Sequence, residues 1–170
     1  MRKRESSTYH INSIVEDYEK EIYWYLRKLL ISHENTKDVL QETFLRAWKN
    51  LDAYRGDSKI STWLYRIALN EALRFLEKEK KRLENNGSNL EEDLLNKLRS
   101  DENISGDEIQ MTLQEEIIKL PIRQREVFTM RYFDDLRYEE ISEILGTSID
   151  SLKVSYHHAK KKITEKIKKL

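Results

Sequence analysis

The 170-residue chain has no cysteine, one proline and four glycines. Without cysteine it has no disulfide, no cysteine-ligated zinc site and no thiol nucleophile. So few helix breakers, beside abundant Leu, Glu and Lys, argue against a sandwich or barrel that needs many tight turns. The composition therefore predicts an almost entirely helical protein.

Long apolar runs are also missing from the sequence. The longest one, residues 22–26, is far too short to cross a membrane. The N-terminus is basic, but the apolar segment of a secretory signal does not follow it. We therefore expect a soluble, cytoplasmic protein with no membrane insertion.

Charge is balanced overall but unevenly distributed along the chain. There are 31 basic and 31 acidic side chains, yet residues 83–108 hold eight acidic and only two basic ones. Two mildly basic ends around an acidic middle indicate two nucleic-acid-facing units joined by a polar tether. Charge alone fits a helical protein with a basic tail equally well.

An N-terminal helical domain is predicted over residues 1–82. Apolar side chains recur at helical spacing over about 11–29, 36–51 and 61–82, and these three helices should form one bundle. Asn35 is the expected N-cap of the second helix. The side chains of that helix expected to face inward are Leu40, Phe44, Ala47, Trp48 and Leu51.

Residues 83–108 are predicted to be a flexible linker, because they are rich in acidic, Asn and Gly residues and poor in apolar ones. One short helical patch fits around Leu90–Leu98 within it. The helical pattern resumes over residues 109–170. The predicted fold class is thus all-α, with an N-terminal helical bundle and a C-terminal helix-turn-helix domain joined by a flexible acidic linker.

The C-terminal domain contains a helix-turn-helix pattern, with the turn at Gly146-Thr147-Ser148. Either Thr147 or Ser148 is placed to cap the second helix. One face of that helix is apolar, and the other is suited to base edges in the major groove, with lysines beyond it for phosphates. Periodicity alone also fits an ordinary helical hairpin with a lysine-rich end. The apolar face has Leu152, Tyr156, Ala159 and Ile163; the opposite face has Lys153, Val154, His157, His158 and Lys161, followed by Lys160 and Lys162.

Two stretches resemble conserved regions of the extracytoplasmic-function sigma factors of bacterial RNA polymerase. Their order and spacing fit, and they cover most of the chain apart from its start and the linker. The first stretch is similar to the family's second region and the other to its fourth. The matching residues are Asp38–Trp48, Tyr54–Asp57 and Thr62–Ala68 in the first, and Leu120–Pro121, Arg123–Phe128 and Tyr138–Ile141 in the other.

The resemblance implies a dissociable initiation subunit that binds core RNA polymerase and promoter DNA. It implies no catalytic chemistry and no cofactor, and it suggests an anti-sigma factor as a further partner. In this family the second helix docks on a coiled coil of the largest polymerase subunit. The matching outward positions are Asp38, Gln41, Glu42 and Arg46, with Leu40, Phe44 and Trp48 as expected anchors.

The resemblance also implies two DNA-reading sites. The loop at residues 54–61 would capture a base flipped from the −10 element, and Trp63 beside it is expected to be a core residue. Many relatives carry Arg where this chain has Lys153 and His158, so the preferred −35 sequence is not defined by the resemblance. The candidate −10 residues are Lys59, Ile60, Ser61, Asn70 and Arg74. The candidate −35 residues are Lys153, Val154, His157 and His158, with Lys160 and Lys161 as contacts to the DNA backbone.

Two other functional classes fit the sequence less well. A DNA-binding regulator without polymerase affinity explains residues 109–170 but leaves Asp38–Trp48 without a role. An enzyme lacks support, because the sequence has no Gly-rich phosphate loop, no serine elbow and no metal-ligand spacing. The adjacent His157 and His158 diverge by about 100° on a helix, so we expect no metal site.

Overall fold

The computed structural model describes residues 2–102 and 106–170 of the chain. Every regular element in this part is helical, so the all-α fold class is confirmed. The backbone divides into two compact units, Met1–Lys78 and Glu79–Leu170. The predicted domain limits at residues 82 and 109 stay predictions. The α-helices of the described part are α1 (Arg2–Leu30), α2 (His33–Asn50), α3 (Ile60–Asn85), α4 (Leu90–Arg99), α5 (Glu108–Lys119), α6 (Ile122–Phe128), α7 (Tyr138–Leu145) and α8 (Ile149–Lys168).

A tight turn joins α1 to α2 in the first unit. Ile31 is buried and has a φ of 66°, a left-handed conformation that β-branched residues rarely adopt. Ser32 then takes extended backbone, and its Oγ accepts a hydrogen bond from the N–H of Asn35 at 3.3 Å. Ser32 is therefore the N-cap of α2, and the prediction of Asn35 was wrong. Asn35 lies in the first helical turn and supplies the donor instead.

The core of the first unit lies between α1, α2 and α3. The ring centroids of Tyr25 and Tyr65 are 4.8 Å apart and join α1 to α3. The Tyr65 hydroxyl donates to Oε1 of Glu21 at 3.3 Å, so this buried phenol keeps a polar partner. The buried apolar side chains around this pair include Ile22, Leu26, Leu29, Val39, Leu40, Ala47, Leu64, Ala68, Leu69 and Ala72.

The acidic segment 83–108 contains more regular structure than a uniform coil. It holds the end of α3, a turn at Gly87 with a φ of 76°, and the whole of α4. Asn89 caps α4 by accepting a hydrogen bond from the N–H of Glu92 at 2.8 Å. The three leucines Leu94, Leu95 and Leu98 are buried, and α4 packs on α5. Flexibility of this segment between the domains stays a prediction, and its residues 103–105 lie outside the described part.

The second unit is built around α8. Its core combines α5, the end of α6 and the inner face of α8, with three partly buried aromatic and aliphatic side chains around it. A salt bridge of 3.0 Å between Nε of Arg99 and Oε1 of Glu115 adds to the contact of α4 with α5. The core residues are Leu113, Ile117, Leu120, Phe128, Ala159 and Ile163, with Phe133, Tyr156 and Ile167 packed against them.

Two ionisable side chains are buried in α6. Arg125 donates from Nη2 to the carbonyl oxygen of Ile118 at 2.9 Å, which satisfies an otherwise open carbonyl at the end of α5. Burial lowers the pKa of Arg125, and the nearby Glu126 partly opposes this. Burial likewise raises the pKa of Glu126, against the pull of Arg123 and Arg125. The hydrogen bond of Arg125 to α5 thus offsets part of the cost of removing its guanidinium group from water.

We predict that Arg125→Ala lowers the free energy of unfolding of the second unit by about 1–3 kcal/mol, because it leaves a buried carbonyl without a donor. The three tryptophans, Trp24, Trp48 and Trp63, all lie in the first unit. Far-UV circular dichroism should therefore show an earlier second-unit transition in urea, while the tryptophan fluorescence transition stays in place. The matched control is Arg137→Ala, at an exposed arginine. Equal effects of the two substitutions would contradict the assigned role of Arg125.

Candidate functional site

The outward face of α2 carries three of the four predicted docking residues. Asp38, Gln41 and Glu42 are all exposed. Arg46 is placed differently, because its Nε is buried and forms an ion pair with Oε1 of Glu71 on α3. The first three residues are therefore available to a partner, whereas Arg46 presents only the outer part of its guanidinium group.

The structure corrects the position of Trp48. This side chain was expected to anchor α2 from within, but it is 47% exposed, and Leu45 beside it is 38% exposed. Leu40 and Ala47 are buried as predicted, Phe44 is half-buried, and Thr36, Val39 and Thr43 complete the inner face of α2. Asp38, Gln41, Leu45 and Trp48 follow one another at spacings of three and four residues, so they form one outward stripe. We call these four residues the α2 stripe.

Two buried hydroxyls explain why the spacing of apolar residues misplaces Trp48. The Thr36 hydroxyl donates to the carbonyl oxygen of Ser32, and the Thr43 hydroxyl to that of Val39, each at 2.7 Å. Because each hydroxyl is satisfied within its own helix, both threonines pack like apolar residues. A search of the helix for apolar residues alone passes over them and assigns the inner face to Trp48.

The predicted −10 loop is tied to the start of α3. The rings of Tyr54 and Trp63 are 5.1 Å apart, and the Tyr54 hydroxyl donates to the carbonyl oxygen of Ser58. Gly56 has a φ of 79°, which a side chain at this position would make strained. Trp63 is half-buried against Tyr54, so it is a packing residue at the edge of the unit. The Lys59 side chain is exposed beyond them, followed by the half-buried Ile60 and Ser61.

The remaining −10 candidates lie on the outer face of α3. Asn70 and Arg74 are both exposed and stand one helical turn apart. Arg74 also donates from Nη1 to Oε1 of Glu71 at 3.4 Å, the same oxygen that Arg46 approaches. The structure thus brings a predicted docking residue and a predicted DNA-reading residue onto one buried carboxylate.

One glycine and two serines define the turn of the helix-turn-helix motif. Gly146 ends α7 with a φ of 65° and a ψ of 28°, and its N–H donates to the carbonyl oxygen of Ser142. The Ser142 hydroxyl donates to the carbonyl oxygen of Thr147 at 2.7 Å. Ser148 caps α8 by accepting from the N–H of Ser151 at 3.3 Å, which resolves the choice between Thr147 and Ser148. Hydrogen bonds therefore close the end of α7, tie the turn back to α7 and cap the start of α8.

The outer face of α8 displays all the predicted −35 residues. Leu152, Ala159 and Ile163 are buried on the inner face, with Tyr156 partly buried among them. Burial, with Tyr138 nearby, raises the pKa of the Tyr156 phenol. The exposed residues are Lys153, Val154, His157, His158, Lys160 and Lys161.

Two cations flank the ring of Tyr138 at the start of α7. Cζ of Arg131 lies 5.1 Å from the ring centroid, and Nζ of Lys153 lies 5.9 Å from it. Arg131 also donates to the carbonyl oxygen of Leu136 at 3.1 Å. The Tyr138 ring therefore orients Lys153 near the start of the outer face of α8. The sequence pattern does not predict this contact, because Lys153 and Tyr138 lie on different helices.

Residues 2–102 and 106–170 lack two features, a membrane-spanning helix and a metal-binding cluster. Within that part, no helix combines the length and the low polarity needed to span a membrane. The same residues include no cluster of three or more His, Asp or Glu side chains suited to a metal ion.

Family models match both halves of the chain. Sigma-70 region 2 matches residues 14–82, and Sigma-70 region 4 matches residues 110–163. The RNA polymerase sigma factor YlaC of Bacillus subtilis is 31% identical over 171 residues, covering 99% of this chain and 96% of the relative. The ECF RNA polymerase sigma factor SigW of the same species is 30% identical, covering 92% and 88%.

The chain belongs to the ECF sigma factors. It directs promoter-specific initiation of transcription. The ECF sigma-E factor of Escherichia coli is 33% identical to it over 141 residues, covering 78% of this chain and 74% of the relative. The recognition of the family from sequence is thereby confirmed.

Solved structures show the same fold. The sigma factor RpoE of Bartonella quintana, in complex with the anti-sigma factor NepR, has a TM-score of 0.74 at 20% identity and covers 94% of this sigma factor and 96% of that chain. CnrH in complex with the cytosolic domain of CnrY has a TM-score of 0.67 at 19% identity, covering 93% and 87%. The region 2 match contains α2, the loop and most of α3, and the region 4 match contains the helix-turn-helix.

We predict that Trp48→Ala leaves the stability of this sigma factor almost unchanged, because the indole is on the outer face of α2. A buried tryptophan would cost about 3–5 kcal/mol on the same substitution. The matched variant on the same helix is Leu40→Ala, at a buried position, which should cost about 2–5 kcal/mol. Urea unfolding followed by circular dichroism measures the stability of both variants. A large loss of stability in Trp48→Ala would mean that the indole is buried after all.

Proposed function

We propose that this sigma factor docks on core RNA polymerase through the outer face of α2. The observation that carries this is the α2 stripe, in which Leu45 and Trp48 are exposed beside Asp38 and Gln41. Spacings of three and four residues suit packing against another helix, as in a coiled coil. Large exposed apolar side chains rimmed by polar ones are typical of a protein–protein interface. Glu42 borders the stripe, and Arg46 contributes the outer part of its guanidinium group.

We further propose that the −10 element meets the loop at residues 54–61 and the outer face of α3. Extruding a base costs a few kcal/mol, which a ring and directed polar contacts can offset. The Tyr54–Trp63 pair supports the loop, and Lys59 stands exposed on it. Ile60 and Ser61 form its end, while Asn70 and Arg74 would line the path of the strand.

The −35 element is assigned to α8. Support comes from the division of that helix, since the six predicted contacts are exposed while Leu152, Ala159 and Ile163 are buried behind them. Lys153, Val154, His157 and His158 would meet base edges in the major groove. Lys160 and Lys161 lie further along the helix and would meet phosphates.

Regulation and location follow from the same role. Two solved proteins of the same fold are in complex with the anti-sigma factor NepR and with the cytosolic domain of CnrY, respectively. By analogy, we expect an anti-sigma factor to hold this protein away from the polymerase. The sigma factor would act in the cytoplasm, with core polymerase and promoter DNA as partners and with no catalysis or cofactor of its own.

A regulator that binds DNA without polymerase is the competing proposal, and docking separates the two. We predict that Gln41→Ala with Glu42→Ala weakens core polymerase binding about tenfold or more, because Gln41 belongs to the α2 stripe and the exposed Glu42 borders it. Helicity should be unchanged. Surface plasmon resonance with immobilised core polymerase measures the affinity.

The control for docking uses the same residue types elsewhere. Glu108→Ala with Gln110→Ala replaces exposed residues of α5 and changes the net charge by the same amount as the α2 variant. It should leave core binding intact. If the α2 variant binds core as tightly as this control, the docking surface is not the outer face of α2.

The −35 assignment makes a second prediction. Lys153→Ala should change the ranking of −35 sequences and cost about 1–3 kcal/mol on the preferred one. Lys160→Ala should weaken all sequences alike and reduce the salt dependence by about one counterion. The measurement is binding of the full chain to a duplex library randomised at the −35 element, at two salt concentrations. A uniform loss in Lys153→Ala would make Lys153 a backbone contact and the groove placement wrong.

A further inference from the structure

A buried carboxylate lies between the two candidate surfaces of the first unit. Glu71 is on α3, and its side chain is only 8% exposed. Its Oε1 faces Arg46 of α2 and Arg74 of α3, with Nη1 of Arg74 at 3.4 Å. Neither family resemblance nor periodicity singles out this residue.

The burial of Glu71 determines which side of each arginine faces inward. A carboxylate removed from water is costly unless cations or donors neutralise it. Arg46 does so through its buried Nε, and Arg74 through one terminal nitrogen. About half of each arginine side chain stays exposed, at 43% and 51%. The outer N–H groups of Arg74 therefore remain available to a ligand while its inner side is restrained.

We propose that Glu71 is a positioning residue that makes Arg74 selective for the −10 strand, with Arg46 as the second cation that keeps the carboxylate in place. The inference rests on the assignment of Arg74 to the −10 element. An unrestrained arginine pairs with any phosphate in reach, which adds affinity without sequence preference. Pairing with Glu71 weakens such non-selective phosphate binding by Arg74. The contacts that remain to Arg74 have a fixed geometry, since the planar guanidinium donates in set directions. Glu71 thus favours selectivity over affinity.

The test uses Glu71→Gln, which keeps the shape of the side chain and removes its charge. The matched control is Glu77→Gln, the same change at an exposed position of α3. Holoenzyme is assayed on two duplexes: one selected by wild-type holoenzyme from a library randomised at the −10 element, and the same duplex with that element scrambled. The readout is the ratio of the two affinities. Glu71→Gln should lower this ratio about five- to tenfold, the lower end of the discrimination that one directed base contact provides, whereas Glu77→Gln should leave it unchanged.

The readout separates positioning from a merely structural role. A less stable protein has a smaller active fraction, which lowers both affinities alike and leaves their ratio unchanged. An unchanged ratio in Glu71→Gln therefore overturns the proposal. Adding Glu71→Gln to Arg74→Ala should produce no further drop, because the effect acts through Arg74. A further drop of the same size in that background would also overturn it.

Two more variants complete the test. If Glu71→Gln does not fold, Glu71→Asp withdraws the carboxylate by one methylene group, and its ratio should fall by a smaller factor. A wild-type ratio in Glu71→Asp would then overturn the proposal. Asn70→Ala and Arg74→Ala test the underlying assignment of α3. If Asn70→Ala and Arg74→Ala lower the ratio but Glu71→Gln does not, only the positioning role of Glu71 fails. If Asn70→Ala and Arg74→Ala both leave the ratio unchanged, the −10 assignment fails, and the positioning role fails with it.

Discussion

The hydroxyl groups of Thr36 and Thr43 decide which side of α2 can meet a partner. Both donate to backbone carbonyls of their own helix, so both are buried without an unsatisfied polar atom. With Val39, Leu40 and Ala47 they fill the inner face of the helix. Because a helix in this position buries one face only, Leu45 and Trp48 turn outward. The proposed polymerase-docking surface thus depends on polar residues that pack as if they were apolar.

The sequence predicted most of the helices well, α8 among them, because helices depend on local signals. The Gly146 turn and the Ser148 cap follow from residue type and position, and the two faces of α8 follow from spacing. The N-cap of α2 was misplaced because Ser32 and Asn35 are both good caps, and the choice between them depends on the strained turn at Ile31. Trp48 was misplaced because hydrophobic spacing takes no account of a satisfied hydroxyl.

Contacts between helices were beyond the reach of the pattern. The cluster of Arg46, Glu71 and Arg74 joins residues from two helices, and only tertiary packing brings them to one oxygen atom. The packing of α4 on α5 is similar. The four leucines of α4, three of which are buried, predicted a short helix, but a composition dominated by acidic residues favoured a linker. Net charge describes the solvent-facing side of such a helix and says nothing of the face that it buries.

The proposed DNA-facing surfaces differ in how their cations are held. On α8, Lys160 and Lys161 are exposed on flexible stems, which suits phosphate contacts that need charge but no fixed direction. On α3, Arg74 is restrained by a buried carboxylate, which suits a contact that needs direction more than charge. Lys153 stands between these cases, because the Tyr138 ring orients it without neutralising it. A factor that finds duplex DNA and then reads a separated strand needs both kinds of cation: free charge contributes to finding the duplex, and restrained charge contributes to reading the strand.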